Sequence, residues 1–195
     1  MVRARSIVPP SPEGFRIERR LPAGRYPLLA VFPGLDALPA FRRYPLSAAG
    51  RRRLAQKTTV EIIPRRGEFM YVAPHRIPKD ADPRWKPVVS TTDCVVVGRE
   101  HLRRSPEVVL FLDVLHELLH VVQRQNGGEL WDERYTYVNR PTELEAYGFA
   151  VDEARRLAIP QRYLRDYLKV MWTSPAEHRQ LLRNLGLLAP RPPRR

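Results

Sequence analysis

Apolar residues are most concentrated between residues 108 and 122, where short runs of valine, leucine and phenylalanine are separated by single polar positions. This pattern predicts a helix that is buried over most of its surface. Ser105, Pro106 and Glu107 precede it in the order of an N-cap, a first-position proline and a first-turn acid. Asn126-Gly127-Gly128 predicts its end. Its length and polar interruptions exclude a membrane-spanning helix.

Weaker patterns predict a sheet and further helices around this segment. Strands are predicted at residues 58–63 and 68–72, on either side of a turn at Arg66-Gly67, at 93–98, and at an edge formed by 135–138. The proline-rich segment 73–87 predicts a loop. Helices are predicted at 35–38, 47–56, 141–159, 161–172 and 174–186. The last of these begins with the capping-box residues Ser174 and Glu177.

These elements predict an α+β fold, in which a small, mainly antiparallel sheet packs on the apolar helix and the helix 141–159 crosses it. Residues 1–24 are rich in proline and arginine and lack periodicity, which predicts a basic arm. Residues 25–190 are predicted to form one domain, followed by a basic tail at 191–195.

Composition narrows the class of protein. The chain has 195 residues, of which 43% are hydrophobic, and this is enough to build a core. Cys94 is the only cysteine, so a disulfide framework within the chain is excluded. The N-terminal residues contain no apolar run of signal-peptide length. We therefore expect a cytoplasmic protein that does not associate with membranes.

The charge is distributed unevenly. Residues 1–57 carry a net +9, residues 58–154 a net −4 and residues 155–195 a net +8. Basic ends of this kind can bind nucleic acid, with Arg51-Arg52-Arg53 and the tail 191–195 as the best candidates. Neither segment is interleaved with aromatic residues, so solvated surface arginine is the alternative interpretation.

The apolar helix also carries the sequence His116-Glu117-Leu118-Leu119-His120. Residues four apart lie on one face of a helix, so the two imidazoles can bind one metal ion. This H-E-x-x-H pattern is typical of Zn²⁺ sites in which the glutamate, here Glu117, is the general base toward a metal-bound water. A buried helix with two incidental histidines is the alternative.

A catalytic zinc usually has a third protein ligand. The next histidine after His120 is His178, so the carboxylates of Glu143 and Glu145 are the nearer candidates. Glu143 shares a helix face with Tyr147 and Ala150 and is favoured, since that face is predicted to point inward. Glu145 has capping-box spacing from Thr142, which offers it a structural role. Both acids can also be solvated first-turn residues.

The motif at 116–120, followed by Glu143-Leu144-Glu145-Ala146-Tyr147-Gly148-Phe149-Ala150, resembles the ImmA/IrrE family of small, gluzincin-like zinc metallopeptidases. Leu157-Ala158-Ile159-Pro160 has the form of the ending that usually follows in that family. The resemblance covers roughly residues 90–190 and implies that Glu143 is the third zinc ligand. Tyr147 departs from the small polar residue that is more common there, and Asp113 places an acid just before the motif.

The remaining roles are less specified. Tyr135, Tyr137 and His178 are candidate donors to an oxyanion, and Tyr147 is a candidate for support of the metal ligands. Asp113 is predicted to be a solvated acid, a core hydrogen-bond acceptor or a residue that orients an imidazole. His75 and His101 are predicted to lie on the surface. Strand 93–98 or 135–138 is expected to bind a substrate backbone by edge addition.

Together these features predict a zinc metallopeptidase that acts on a protein or peptide. One alternative is a DNA-associated regulator that cleaves a repressor or another DNA-bound protein, with the basic ends on nucleic acid. The other is a non-enzymatic protein in which zinc stabilises the structure. The presence of Glu117 argues against it, because a structural site needs no base.

Overall fold

A four-stranded sheet and one long apolar helix form the framework of the fold. The computed structural model describes residue 9 and residues 12–65, 67, 69–76 and 88–188. Its strands are β1 (Gly24–Pro27), β2 (Thr59–Ile63), β3 (Met70–Val72) and β4 (Cys94–Gly98). They lie in the order β1-β2-β4-β3, with β1–β2 and β3–β4 antiparallel and β2–β4 parallel. The α+β class with a mainly antiparallel sheet is therefore confirmed.

Helices make up most of the remaining described residues. They are α1 (Leu28–Val31), α2 (Pro39–Arg42), α3 (Ala48–Lys57), α4 (Arg99–Arg104), α5 (Glu107–Gln125), α6 (Pro141–Arg156), α7 (Gln161–Tyr167) and α8 (Pro175–Asn184), with 3-10 helices at Leu35–Ala37 and Tyr137–Asn139. The capping box of Ser174 and Glu177 begins α8 as predicted. None of the helices in the described part of the chain is long and apolar enough to cross a bilayer.

The order of the strands differs from the predicted hairpin. β2 and β3 do not pair around Gly67, because β4 lies between them. All five residues of β4 are buried, and a continuous apolar strand of this kind is typical of the centre of a sheet. Residues 94–98 therefore cannot offer a free edge, and 135–138 is not a strand, since a 3-10 helix begins at Tyr137. Both predicted edges are wrong; the outer strands are β1 and β3.

The helix α5 begins one residue later than predicted. Pro106 is its N-cap residue, and Ser105 instead ends the preceding helix α4. The Ser105 hydroxyl is bonded to Nδ1 of His101 at 2.7 Å, so it is engaged away from the start of α5. The end of α5 agrees with prediction, since Gly127 adopts a left-handed conformation with φ of 81° just beyond it.

A buried chain of hydrogen bonds ties α4, α5 and α7 together. His101 is 4% exposed, so its predicted surface position is wrong. Its Nε2 lies 2.7 Å from Oδ2 of Asp113, whose other oxygen accepts a hydrogen bond from the Tyr167 hydroxyl at 3.0 Å. Asp113 is thus a hydrogen-bond acceptor that orients the imidazole of His101. The network fixes α5 one turn before His116.

Part of the segment predicted as an arm packs on the core. Phe15 is 6% exposed, and its ring contacts Phe111 of α5 edge-on at 5.2 Å and stacks on Phe32 at 6.0 Å. Arg19 donates a hydrogen bond to the carbonyl of Leu102 at 2.7 Å. Residues from about Phe15 onward therefore pack on the core, and Phe15 helps to bury α5.

Candidate metal centre

The side chains of His116, His120 and Glu143 meet where α5 packs against α6. The two histidines lie one helical turn apart on α5, and Glu143 projects from the first turn of α6. The two Nε2 atoms are 3.0 Å apart, and Oε2 of Glu143 lies 3.4 Å from that of His116 and 3.5 Å from that of His120. All three residues are buried.

This triangle of atoms has the dimensions of a metal site. Tetrahedral zinc with bonds of about 2.0–2.1 Å places its ligand atoms about 3.3 Å apart, close to the three distances found here. Oε2 of Glu143 is buried and has no hydrogen-bond partner, although it points at both imidazoles. A shared cation would satisfy that oxygen, so the group can hold a metal ion.

The orientation of His120 is set by a second layer of contacts. Nε2 of Gln123 donates to the carbonyl of Thr142 at 3.0 Å and to the carboxylate of Glu145 at 2.7 Å. Its Oε1 must therefore be the atom that lies 2.8 Å from Nδ1 of His120, so Nδ1 donates. This hydrogen bond leaves Nε2 of His120 directed at His116 and Glu143, as a metal ligand requires.

The two candidate acids of α6 have different positions. Glu143 is 8% exposed and lies among the histidines, whereas Glu145 is exposed and is bonded to Gln123. The predicted capping box of Thr142 and Glu145 is wrong, because Arg140 is the N-cap residue and α6 has no side-chain cap. Glu145 therefore reaches the metal group only through Gln123.

Glu117 lies beside the triangle on the side of the sheet. Its Oε1 is 3.9 Å from Nε2 of His116, and the nearby backbone N–H of Val72 in β3 slightly lowers the pKa of its carboxyl group. Burial raises the pKa of Glu117 to about 8, a shift that its neighbour His120 only partly opposes. A carboxyl group with such a pKa can exchange a proton near neutral pH.

The charges of the three metal-site residues are coupled. Burial lowers the pKa of His116, and the neighbouring His120 lowers it further. Burial also disfavours charge on His120, but the carboxylate of Glu143 outweighs this and raises its pKa to about 9. Burial opposes ionisation of Glu143 as well, yet the two imidazoles hold its pKa well below the usual range. In the metal-free site Glu143 is therefore ionised and faces one protonated imidazole, that of His120, and one neutral imidazole, that of His116.

The predicted tyrosines lie at unequal distances from this group. The Tyr147 ring packs on His116 with centroids 4.1 Å apart, and its hydroxyl lies 2.7 Å from that of Tyr137. Tyr135 is 42% exposed, with the Arg134 guanidinium 5.9 Å from its ring centre. His178 is occupied elsewhere, since its Nε2 donates to the carbonyl of Arg165 at 3.0 Å. Tyr147 and Tyr137 are therefore the pair that the fold brings to the metal site.

Two residues near the site were not identified from the sequence. Gln123 lies three residues after His120 on the same helix, so helical spacing from the motif could have identified it. Arg140 precedes α6 and is only 8% exposed, although arginine rarely is buried. No sequence pattern distinguishes it from the many surface arginines of this chain.

Of the two segments predicted to bind nucleic acid, the tail 191–195 lies outside the described residues, whereas Arg51-Arg52-Arg53 lies within α3. Arg52 and Arg53 of α3 are exposed, as that interpretation requires. Nucleic-acid binding stays a prediction.

Comparison of the chain with family models, with curated proteins and with solved structures gave no match. The identification of the metal site therefore depends on its own residues: a buried group of two histidines and one glutamate, on two packed helices, with the spacing of an H-E-x-x-H site.

Proposed function

We propose that the protein is a zinc metallopeptidase that hydrolyses peptide bonds in a protein or peptide substrate. The observation that carries the proposal is the buried triangle of His116, His120 and Glu143 with the carboxyl group of Glu117 at its side. Two imidazoles and one carboxylate are a ligand set that suits catalytic zinc. A zinc ion in such a site supplies Lewis acidity, which activates water and polarises a carbonyl group.

Glu117 is the proton carrier in this proposal. Burial raises its pKa to about 8 in the metal-free site, and a bound cation would favour its carboxylate form. It could then accept a proton from water and deliver it to the leaving amine near neutral pH. A site that served only stability would not need a buried, ionisable glutamate next to the ligands, because burial of that group destabilises the fold.

The position of β3 as an outer strand of the described sheet supports a peptide as the substrate. Ala73 donates its N–H to Cys94, and Phe69 accepts from Gly98, so residues 69, 71 and 73 face β4. Met70 and Val72 then direct their backbone groups away from the sheet. The packing of α5 against β3 supports a position of this edge close to the metal site. β3 can therefore pair with an extended peptide, in the role expected of residues 93–98 or 135–138.

Tyr147, whose ring packs on His116, and its hydrogen-bonded neighbour Tyr137 supply hydroxyl groups to the site in this proposal. Their single shared hydrogen bond of 2.7 Å leaves one of the two hydroxyl hydrogens free to donate. That hydrogen is available to a substrate oxygen that becomes negative during hydrolysis. The same site geometry agrees with the resemblance to ImmA/IrrE metallopeptidases, including Glu143 as third ligand.

The test compares wild-type protein with Glu117→Gln after both have been loaded with one equivalent of zinc. We expect equal zinc content and loss of cleavage of fluorescently labelled, unfolded casein in the variant, because only the proton acceptor is removed. Glu133→Gln, at an exposed position between α5 and α6, is the matched control. Full cleavage by Glu117→Gln would refute the mechanism, and zinc binding without cleavage of any peptide would favour a structural role.

A further inference from the structure

Arg140 is a buried cation without a close partner. Its side chain is 10% exposed and lies at the start of α6, three residues before Glu143. Nη1 of Arg140 lies 3.9 Å from Oε1 of Glu143, which is too long for a hydrogen bond. Nε of Arg140 is fully buried and has no hydrogen-bond partner in the described part of the chain. Buried guanidinium groups normally form several hydrogen bonds, so this one needs an explanation.

The described residues around Arg140 contact its side chain but accept no hydrogen bond from its guanidinium group. The guanidinium lies over the ring of Trp131, with its carbon 5.9 Å from the ring centre. Asp132, the residue after Trp131, is occupied by Arg134, whose Nε and Nη2 lie 2.9 and 2.6 Å from its carboxylate oxygens. The aromatic ring therefore positions a planar set of N–H donors beside the metal ligand Glu143, and these donors stay available.

We propose that Arg140 binds a carboxylate group of the substrate next to the metal site. The inference rests on the proposed function, since it places the carboxylate of the bound substrate near the scissile bond. A guanidinium matches a carboxylate because two parallel N–H groups can donate to its two oxygens. A divalent ion together with Arg140 also exceeds the charge of Glu143, so the site favours an anionic ligand.

A purely supporting role for Arg140 predicts a different geometry. An arginine that only held Glu143 in place would donate to Oε1 directly, at about 2.7–2.9 Å. Instead Oε1 remains 3.9 Å away, while Oε2 points at the histidines. The two roles also differ in their consequences, because a supporting residue affects zinc affinity whereas a substrate-binding residue affects only ligands that carry a carboxylate.

The experiment uses two small zinc-binding probes, succinic monohydroxamic acid and the corresponding primary amide, which differ only in the free carboxylate. Calorimetric titration of the zinc-loaded full-length protein should give about 10–100-fold tighter binding of the acid, as expected for charge-assisted hydrogen bonds. Arg140→Gln should remove this preference and leave both zinc content and affinity for the amide unchanged. Arg140→Lys should keep part of it, since the charge remains but the paired donors do not.

Equal binding of the two probes by wild-type protein would overturn the proposal and leave the peptidase function standing. Loss of zinc from both Arg140 variants would also overturn the proposal, because it would show that Arg140 supports the metal ligand Glu143. A wild-type protein that takes up no zinc would remove the proposed function and this inference together. Displacement of the amide probe by three peptides identifies the source of the carboxylate. Stronger displacement by tri-alanine than by tri-alanine amide indicates a C-terminal carboxylate, and stronger displacement by Ala-Glu-Ala amide than by tri-alanine amide indicates an acidic side chain.

Discussion

Replacement of Glu117 by glutamine should stabilise the metal-free protein, and increasingly so as the pH rises. Burial raises the pKa of Glu117 to about 8 in the folded protein, against 4.5 for a solvated glutamate. The folded state therefore retains a proton that the unfolded chain releases, so stability falls as the pH rises between these values. Each pH unit in this range removes about 1.4 kcal/mol.

The magnitude follows directly. Burial of Glu117 should lower the free energy of unfolding of the metal-free wild-type protein by close to zero at pH 4.5, by about 3 kcal/mol at pH 7 and by about 5 kcal/mol at pH 9. Glutamine has the same shape but no titratable group, so Glu117→Gln should avoid this loss. The gain in its free energy of unfolding over wild type should then follow the same curve. A bound zinc ion favours the carboxylate form, so the gain should be smaller in the loaded protein.

Urea unfolding of chelator-treated protein at pH 5, 7 and 9, followed by circular dichroism, measures these differences. The control is Glu133→Gln, since an exposed carboxylate is solvated in both folded and unfolded chains. A gain for Glu117→Gln that is the same at all three pH values would show that burial does not suppress ionisation of Glu117. A net destabilisation at pH 9 would refute the reasoning altogether.

Three further predictions concern the metal. Glu143→Gln should lose zinc and Glu145→Gln should retain it, measured by elemental analysis after dialysis; the reverse result would exchange their roles. Gln123→Leu should weaken zinc binding about 10–100-fold in competition with a chromophoric chelator, because His120 loses the acceptor that orients it; an unchanged affinity would contradict this. Zinc affinity should fall about tenfold per unit as the pH is lowered from 8 to 6, because His120, with a pKa of about 9, must release its proton. A flat profile over this range would show that His120 is already neutral.

The helix α5 and the candidate metal-binding residues could be predicted from the sequence because their signals are local. The apolar segment that contains α5 and the four-residue spacing of His116 and His120 depend only on helical geometry. The inward face of Glu143 follows from the same period, counted from Tyr147 and Ala150. These features needed no knowledge of which element packs against which.

The strand order could not be predicted in the same way. β2 and β3 are neighbours in sequence, so a hairpin was expected, but the pairing of β2 with β4 depends on contacts between distant residues. The apolar run Cys94–Gly98 did signal a buried strand, and a central position is its usual consequence. Strand propensity alone does not report which neighbours a strand will have.

Buried polar residues were the other source of error. His101 and Arg140 belong to residue types that usually lie at the surface, and only the fold shows what surrounds them. Ser105 is a residue type that favours N-caps, but its hydroxyl is hydrogen-bonded to His101 of the preceding helix instead. The contacts of His101 with Asp113, and of Asp113 with Tyr167, join different elements, so a short window of sequence does not predict them.

The shortness of the outer strands has a consequence for the behaviour of the protein in solution. An exposed strand edge is a template on which other chains can add, and long, flat edges lead to aggregation. β3 has three residues and is followed by Pro74, while β1 has four, ends at Pro27 and carries the ion pair of Arg25 with Glu61. Each outer strand is therefore brief, which limits the number of backbone hydrogen bonds that another chain could form along it.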